Sequence, residues 1–259
     1  MLIKNFRKKL IESVGGHSPK YREENFDQLF ENAKEKLGIS DKSAKAIKQQ
    51  VYWETGYQKP QTNVGSLADV EVVFVNTNPA IADKNKEPEV PTAKTSDEDT
   101  YNYNKNYLKN YDREGKVPRS LQGAIKVVDA IAMANNETGI MEGKENRKGN
   151  KFQPEDVREL DNKKVSIIDA CPIRSDHPQD IKEYLKDEKK LTESVIDKIN
   201  ASKAKIVVVS GKDAKAMKDK IEKSTNAKVI ELKNHISYVD KKTTDDVYKQ
   251  VKRLNKKIK

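Results

Sequence analysis

The sequence predicts an α/β protein, a doubly wound four-stranded parallel sheet with extra N-terminal helices. Three observations predict it. Short apolar runs rich in β-branched residues recur at 70–75, 165–168, 206–209 and 229–232. Each is nearly continuous in apolar residues, as in a strand buried on both faces of a sheet. Helical patterns separate the runs, and strand alternating with helix argues for parallel pairing.

Taken in order, the first third reads as helical. Leu2, Ile3, Phe6, Leu10, Ile11 and Val14 share one face, and Gly15-Gly16 stops the run. A second helix follows Ser18-Pro19 with Phe26, Leu29, Phe30, Ala33 and Leu37 as its stripe, and Gly38 ends it. Ser40 is placed to cap a third through Ala44, Ile47 and Val51. Residues 1–64 are therefore expected to form a helical region packed on or preceding the core, and 65–259 the α/β domain. Within that domain the helical stripes are Leu121, Ile125, Val128 and Ile131, then Leu191, Val195 and Ile199, then Ala214, Met217 and Ile221. Val247, Val251, Leu254 and Ile258 mark a last helix. Two polar insertions, 81–116 and 135–154, do not fit the core pattern, and long loops of this kind are commonly functional or disordered.

Composition narrows the partners. Of the 259 residues, 35% are hydrophobic and 36% charged, enough apolar material for one core with long solvated segments. Lys and Arg total 51 against 41 acids, a net charge of +10, and the pI is about 9.3. Such a surplus fits a nucleic-acid partner, and it equally fits helices with Lys-rich solvated faces. The single cysteine, Cys171, excludes an intramolecular disulfide and a Cys-rich zinc site, and His17, His177 and His235 are too scattered for a metal cluster. No metal and no cofactor are expected. No stretch approaches the roughly 20 apolar residues that span a bilayer. Lys4, Arg7, Lys8 and Lys9 interrupt the start, so no signal-peptide apolar region is read there. A monomer in the cytoplasm, or associated with the nucleoid, and no membrane partner is the expectation.

Ligands of open parallel sheets bind beyond the carboxyl ends of the strands. Four loops there carry candidate chemistry: Asn76-Thr77-Asn78-Pro79-Ala80, Asp169-Ala170-Cys171-Pro172-Ile173, Ser210-Gly211-Lys212-Asp213-Ala214, and Asn234-His235-Ile236-Ser237. From the residues alone they indicate a ligand site at the top of the sheet and no more.

In this order the four loops resemble the motifs of the uracil-DNA glycosylase superfamily, in its mismatch-specific and single-strand-selective branches. The first is similar to Gly-x-Asn-Pro-Gly and the second to Asn-x-Cys-Pro-Leu. The third resembles the apolar strand followed by glycine, a basic residue and alanine, and the fourth resembles His-Pro-Ser. The resemblance covers roughly residues 70–240. It implies a DNA glycosylase that hydrolyses the N-glycosidic bond of a deaminated or modified base flipped from single- or double-stranded DNA. Asn78 would position the attacking water and His235 would stabilise the departing base. Asp169, with Asn76 beside the nucleotide path, would face the edge of the flipped base. Ser237, Gly211 and Lys212 would hold phosphate, helped by the helix that opens after Gly211.

The chain departs from those motifs at Asn76 and Ala80, where the family has glycine, at Ile236 in place of proline, and at Asp169 in place of an amide. An ionised carboxylate only accepts hydrogen bonds, so Asp169 suits a base presenting two donors or a protonated cytosine better than uracil. The alternative reading is a catalytically altered protein on the same fold that binds nucleic acid or nucleotides without cleaving them. Each feature also has a plainer reading. Asn78-Pro79 is a common turn, and Asp169 could cap a helix or bond loop amides. His235 could be a hydrogen-bonded loop histidine, and Cys171 a small buried hydrophobe. Tyr101, Tyr103, Tyr107 and Tyr111 could stack bases or simply pin a surface loop.

Overall fold

A computed structural model describes residues 63–77, 90–91, 95–113, 116–144, 147, 152–171 and 188–256. The helices expected before residue 62, and with them Asn78, Pro172 and His177, lie outside the described residues. Residues 61–77, 101–171 and 187–259 cluster as one compact unit; the rest of the chain, 1–60, 78–100 and 172–186, clusters as a second.

All four expected strands form. They are β2 (Val72–Asn76), β3 (Val165–Asp169), β4 (Ile206–Val209) and β5 (Lys228–Glu231), joined by β1 (Asn63–Val64) at one edge. The sheet order is β1-β3-β2-β4-β5. β2 pairs in parallel with β3 and with β4, and β4 with β5, whereas β1 runs antiparallel to β3. The sheet is therefore mixed and five-stranded, a correction to the purely parallel four-stranded expectation. Only Asn63 and Val64 make the added strand, and the Ser166 hydroxyl donates to the Val64 carbonyl to hold it.

Helices cover both faces. Phe74, Ile167, Val208 and Ile230 pack with Leu121, Ile125 and Val128 of α2 (Arg119–Asn135), Leu160 of α3 (Pro154–Asn162) and Val247 and Val251 of α7 (Lys241–Lys256). Val73, Val75, Ile168 and Val207 face the other way, onto Val195 and Ile199 of α4 (Glu188–Ser202) and onto Ala214 and Ile221. This two-sided burial is why the strands read as continuous apolar runs rather than alternating ones.

The third expected stripe is not one helix. It divides at Met217 into α5 (Lys212–Ala216) and α6 (Lys218–Ser224). Nor is the 81–116 insertion all loop, since α1 (Asp97–Asn106) lies within it. Tyr103, Tyr107 and Tyr111 then stack edge to face at ring separations of 5.8 and 5.9 Å, and Tyr111 is buried in the core. Arg113 lies over Tyr107 and Tyr111. These tyrosines anchor the segment; Tyr101 alone among them is exposed.

The open edge of β5 is blocked by a side chain. Gln250 of α7 donates to the Glu231 carbonyl at 3.0 Å and accepts from the Glu231 amide at 3.2 Å, imitating a neighbouring strand.

Candidate functional site

The strand order puts a reversal between β2 and β4. The chain leaves β2 toward β3 on one side and returns to β4 on the other, which makes the β2/β4 crevice the position where open α/β sheets bind ligands. The residues that end these two strands are Asn76-Thr77 and Ser210-Gly211.

Main-chain bonds carry the ladders past the strand ends. Ala170 N–H donates to the Asn76 carbonyl at 2.9 Å, Cys171 N–H to the Thr77 carbonyl at 2.8 Å, and Ser210 N–H to the Val75 carbonyl at 3.0 Å. Asn76, Thr77, Asp169 and Ser210 are all buried, an unusual density of polar side chains at one end of a sheet. Asn76 and Asp169 are direct partners in the parallel register. Cys171 is buried, as expected of a small hydrophobe.

Gly211 brings three strand ends together. Its φ is +86°, and a Cβ there would lie 3.2 Å from Thr77 Oγ1 and 3.6 Å from His235 Cδ2. A side chain would be strained at that φ and would crowd Thr77 while touching His235, so glycine allows β2, β4 and the histidine loop to meet.

His235 precedes a 3₁₀ turn, η1 (Ile236–Tyr238). Its Nδ1 accepts from the Ser237 amide at 3.2 Å and lies 3.1 Å from the Ser237 hydroxyl. An Nδ1 that accepts carries no proton, which leaves the neutral ring protonated at Nε2. Burial of the surrounding ring edge lowers the His235 pKa below its usual value. The imidazole is therefore a neutral Nε2–H donor at pH 7, on a residue that is exposed to solvent. Tyr238 stands edge-on to it at 6.5 Å.

Two contacts hold this loop from below. The buried Ser210 hydroxyl accepts from the Ile236 amide at 2.7 Å. Gly123 of α2 meets the Ile236 carbonyl so closely that an added Cβ would sit 1.9 Å from its oxygen. Helix α2 can approach η1 only because that position lacks a side chain.

The Asp169 carboxylate acts on Lys198 of α4. Burial of Lys198 lowers its pKa, and the Asp169 charge opposes that fall.

Of the sequence candidates, Asn76 meets Asp169, and His235 meets Ser237 and Gly211. Lys212 is exposed at the head of α5. That helix has only five residues, too short to give the expected N-terminal field on phosphate. Residues absent from the sequence reading are Arg119, Gln122 and Lys126 of α2. With Gly123, Ser237 and Val239 they line a cavity of about 180 Å³. Lys126 Nζ donates to the Val239 carbonyl at 2.9 Å, and among the described residues no acid lines this cavity. Their signal was available, since positions 119, 122, 123 and 126 fall on one helical face that breaks the apolar pattern.

Set against known proteins, the chain matches no family model and no curated protein.

Proposed function

We propose that this protein is a DNA glycosylase of the uracil-DNA glycosylase type, hydrolysing the N-glycosidic bond of a base flipped from DNA. The observation that carries this reading is His235, a neutral Nε2–H donor fixed by Ser237 at the meeting point of three strand ends.

Cleavage of an N-glycosidic bond leaves negative charge on the departing base and positive character on the sugar. A fixed neutral donor at the base oxygen stabilises that charge without a proton transfer and with little reorganisation. His235 Nε2–H would make this bond, and Asp169 and Asn76 would hold the base edge. Asn78 would position the water; it follows Thr77 directly in the chain. Water adds to the anomeric carbon, the bond to the base nitrogen breaks, and the base leaves with that electron pair; the proton that the water gives up ends on the released base.

The cavity bounded by Arg119, Lys126 and Ser237 suits a backbone phosphate next to the flipped nucleotide. Two cations, with no acid among the described lining residues, favour a phosphodiester, and Ser237 belongs to both places. The net charge of +10 agrees with a polyanionic partner.

The buried Asn76 side chain also favours a second reading, a protein on this scaffold that binds nucleic acid without cleaving it, because glycine stands at this place in the motif it resembles. Base release separates the two. Oligonucleotides carrying single altered bases are incubated with protein and treated with alkali to break abasic sites. Release that His235→Ala suppresses by 10²-fold or more, on the order of a lost oxyanion donor, supports the glycosylase. Salt-sensitive binding without release from any substrate overturns it in favour of the binding protein.

A further inference from the structure

Tyr101, Met133 and Tyr238 are the large hydrophobic side chains left exposed among the described residues, and of these Tyr238 belongs to the candidate site. It ends η1, whose Ile236 is buried, and Val239 after it is buried as well. The turn seats its aliphatic residues in the core and leaves 64% of Tyr238 open to solvent. A single exposed aromatic is common on a protein surface and by itself means little. Its rigidity, its position and the charge beside it give this one a use.

The main chain around Tyr238 is fixed. Tyr238 N–H donates to the His235 carbonyl at 2.8 Å. The Ser210 hydroxyl holds the Ile236 amide at 2.7 Å, and Lys126 Nζ holds the Val239 carbonyl at 2.9 Å. A ligand that meets the ring therefore has little freedom to quench, since tyrosine offers a large face on few rotatable bonds. The ring stands 6.5 Å from that of His235, with 66° between the planes. Ser237, the residue before it, lines the cavity with Arg119 and Lys126, and no acid is among the described lining residues.

A nucleotide chain fits this order of groups. The altered base would lie at His235, a phosphate among Arg119, Lys126 and Ser237, and the neighbouring base over Tyr238. An aromatic ring accepts the face of any base, so it adds affinity without sequence preference. That face must be free. In a duplex each base is covered by its neighbours, and a protein side chain enters only by unstacking a step. In a single strand the face is open.

We propose that Tyr238 is a base-stacking platform that makes single-stranded DNA the preferred partner of this site. This rests on the glycosylase reading and names the form of DNA that the site takes.

The test uses the full-length chain and a thymine-rich 15-mer with one central uracil or hypoxanthine, alone and annealed to its complement. Binding is measured by fluorescence anisotropy over a range of salt, and base release by alkaline cleavage. The single strand is expected to bind at least about tenfold tighter, the size of one base–aromatic stack. Tyr238→Ala should weaken single-strand binding by about tenfold and duplex binding by less than about twofold. The salt slope should stay the same in that variant, because no charge is lost. Tyr238→Trp should keep the preference, which a role of the phenol hydroxyl would not survive. A duplex bound as tightly as the single strand overturns the inference without any variant. A single-strand preference that Tyr238→Ala leaves intact overturns it too. Base release with duplex preference removes this inference alone. Single-strand preference lost in Tyr238→Ala, with no base release from either form, removes the glycosylase reading alone.

Discussion

Gly123→Ala tests whether the histidine loop is positioned by helix packing. The new methyl carbon would lie 1.9 Å from the Ile236 oxygen, 2.9 Å from its carbonyl carbon and 3.2 Å from Ile236 Cγ1. A carbon–oxygen contact settles at roughly 3.3 Å or more, so η1 or α2 must retreat by about 1.4 Å. The obstacle is main chain, and no rotamer change relieves it. Overpacking of this kind costs about 1–3 kcal/mol. Loss of the Ile236 amide bond to Ser210 adds about 1 kcal/mol, while alanine in place of glycine in a helix returns about 1 kcal/mol. The balance is a loss of about 1–3 kcal/mol, read from urea denaturation at unchanged slope. Base release is expected to fall about 10²-fold, because a displacement near 1 Å at a positioned group costs that much. The His235 pKa, followed by NMR, should rise toward 6.5 as the desolvation of the ring is relieved. A variant stabilised by about 1 kcal/mol with unchanged His235 titration would refute the packing argument, since only helix propensity would then have acted.

Ser210→Ala leaves the buried Ile236 amide without its acceptor, and urea denaturation should register a loss of about 1–3 kcal/mol. His235 contributes a pH dependence of known sign. Its folded pKa is lowered, so the unfolded chain binds the proton first. Stability is full above 6.5, falls as pH drops below it, and levels off beneath the folded value; a wild-type pH slope in that window identical to that of His235→Gln would exclude the contribution. Asp156 behaves as a stabilising acid. Burial pushes its carboxyl up, but bonds from Lys144 and the Gln153 amide, with the charges of Lys144 and Arg147, outweigh that and hold it below 3.8. Its stabilisation is present above pH 3.8 and lost as pH falls through the folded value; Asp156→Asn should cost about 2 kcal/mol at pH 7 and flatten that acid limb. Replacing Arg119 and Lys126 by Gln should weaken DNA binding for all sequences and reduce the slope of log affinity on log salt by about 1–2; an unchanged slope would remove phosphate from that cavity.

The parallel strands were legible because burial on both faces writes itself as an unbroken apolar run, as in Val72–Val75 and Ile206–Val209. β1 left no such mark, since Asn63-Val64 is too short to show a period. The break at Met217 was hidden because its backbone stays in the right-handed region, φ −81° and ψ −13°, so Ala214, Met217 and Ile221 still face one core. Tyr103, Tyr107 and Tyr111 are spaced by four, a helical signal masked by the polar residues between them. Asn76, Asp169 and His235 were legible as polar residues following apolar runs. That Gly211 lies beside Thr77 and His235 was not, because it depends on the strand order, which is a consequence of long-range pairing.

The way the site is held bears on what it can do. The ladders continue beyond β2, β3 and β4 through Ala170, Cys171 and Ser210, and Leu232 N–H donates to the Val209 carbonyl at 3.0 Å beyond β5. Main-chain groups at the strand ends are thus engaged in rigid pairing, and the polar chemistry there is carried by side chains. Ser210 faces the loop and fixes Ile236; Ser237 fixes the tautomer of the histidine one residue before Ile236. No bond in this chain of support requires a charged partner. A neutral donor fixed in this manner stabilises charge that develops on a leaving group, because the field exists before the charge appears and the protein need not rearrange to create it. It is poorly suited to abstracting a proton, since a lowered pKa makes the ring a weak base. The geometry therefore favours departure of an anionic leaving group over general-base chemistry, and activity should track the Nε2–H donor: His235→Asn, which keeps a short donor, should retain more base release than His235→Ala, and equal loss in both would place the essential chemistry elsewhere.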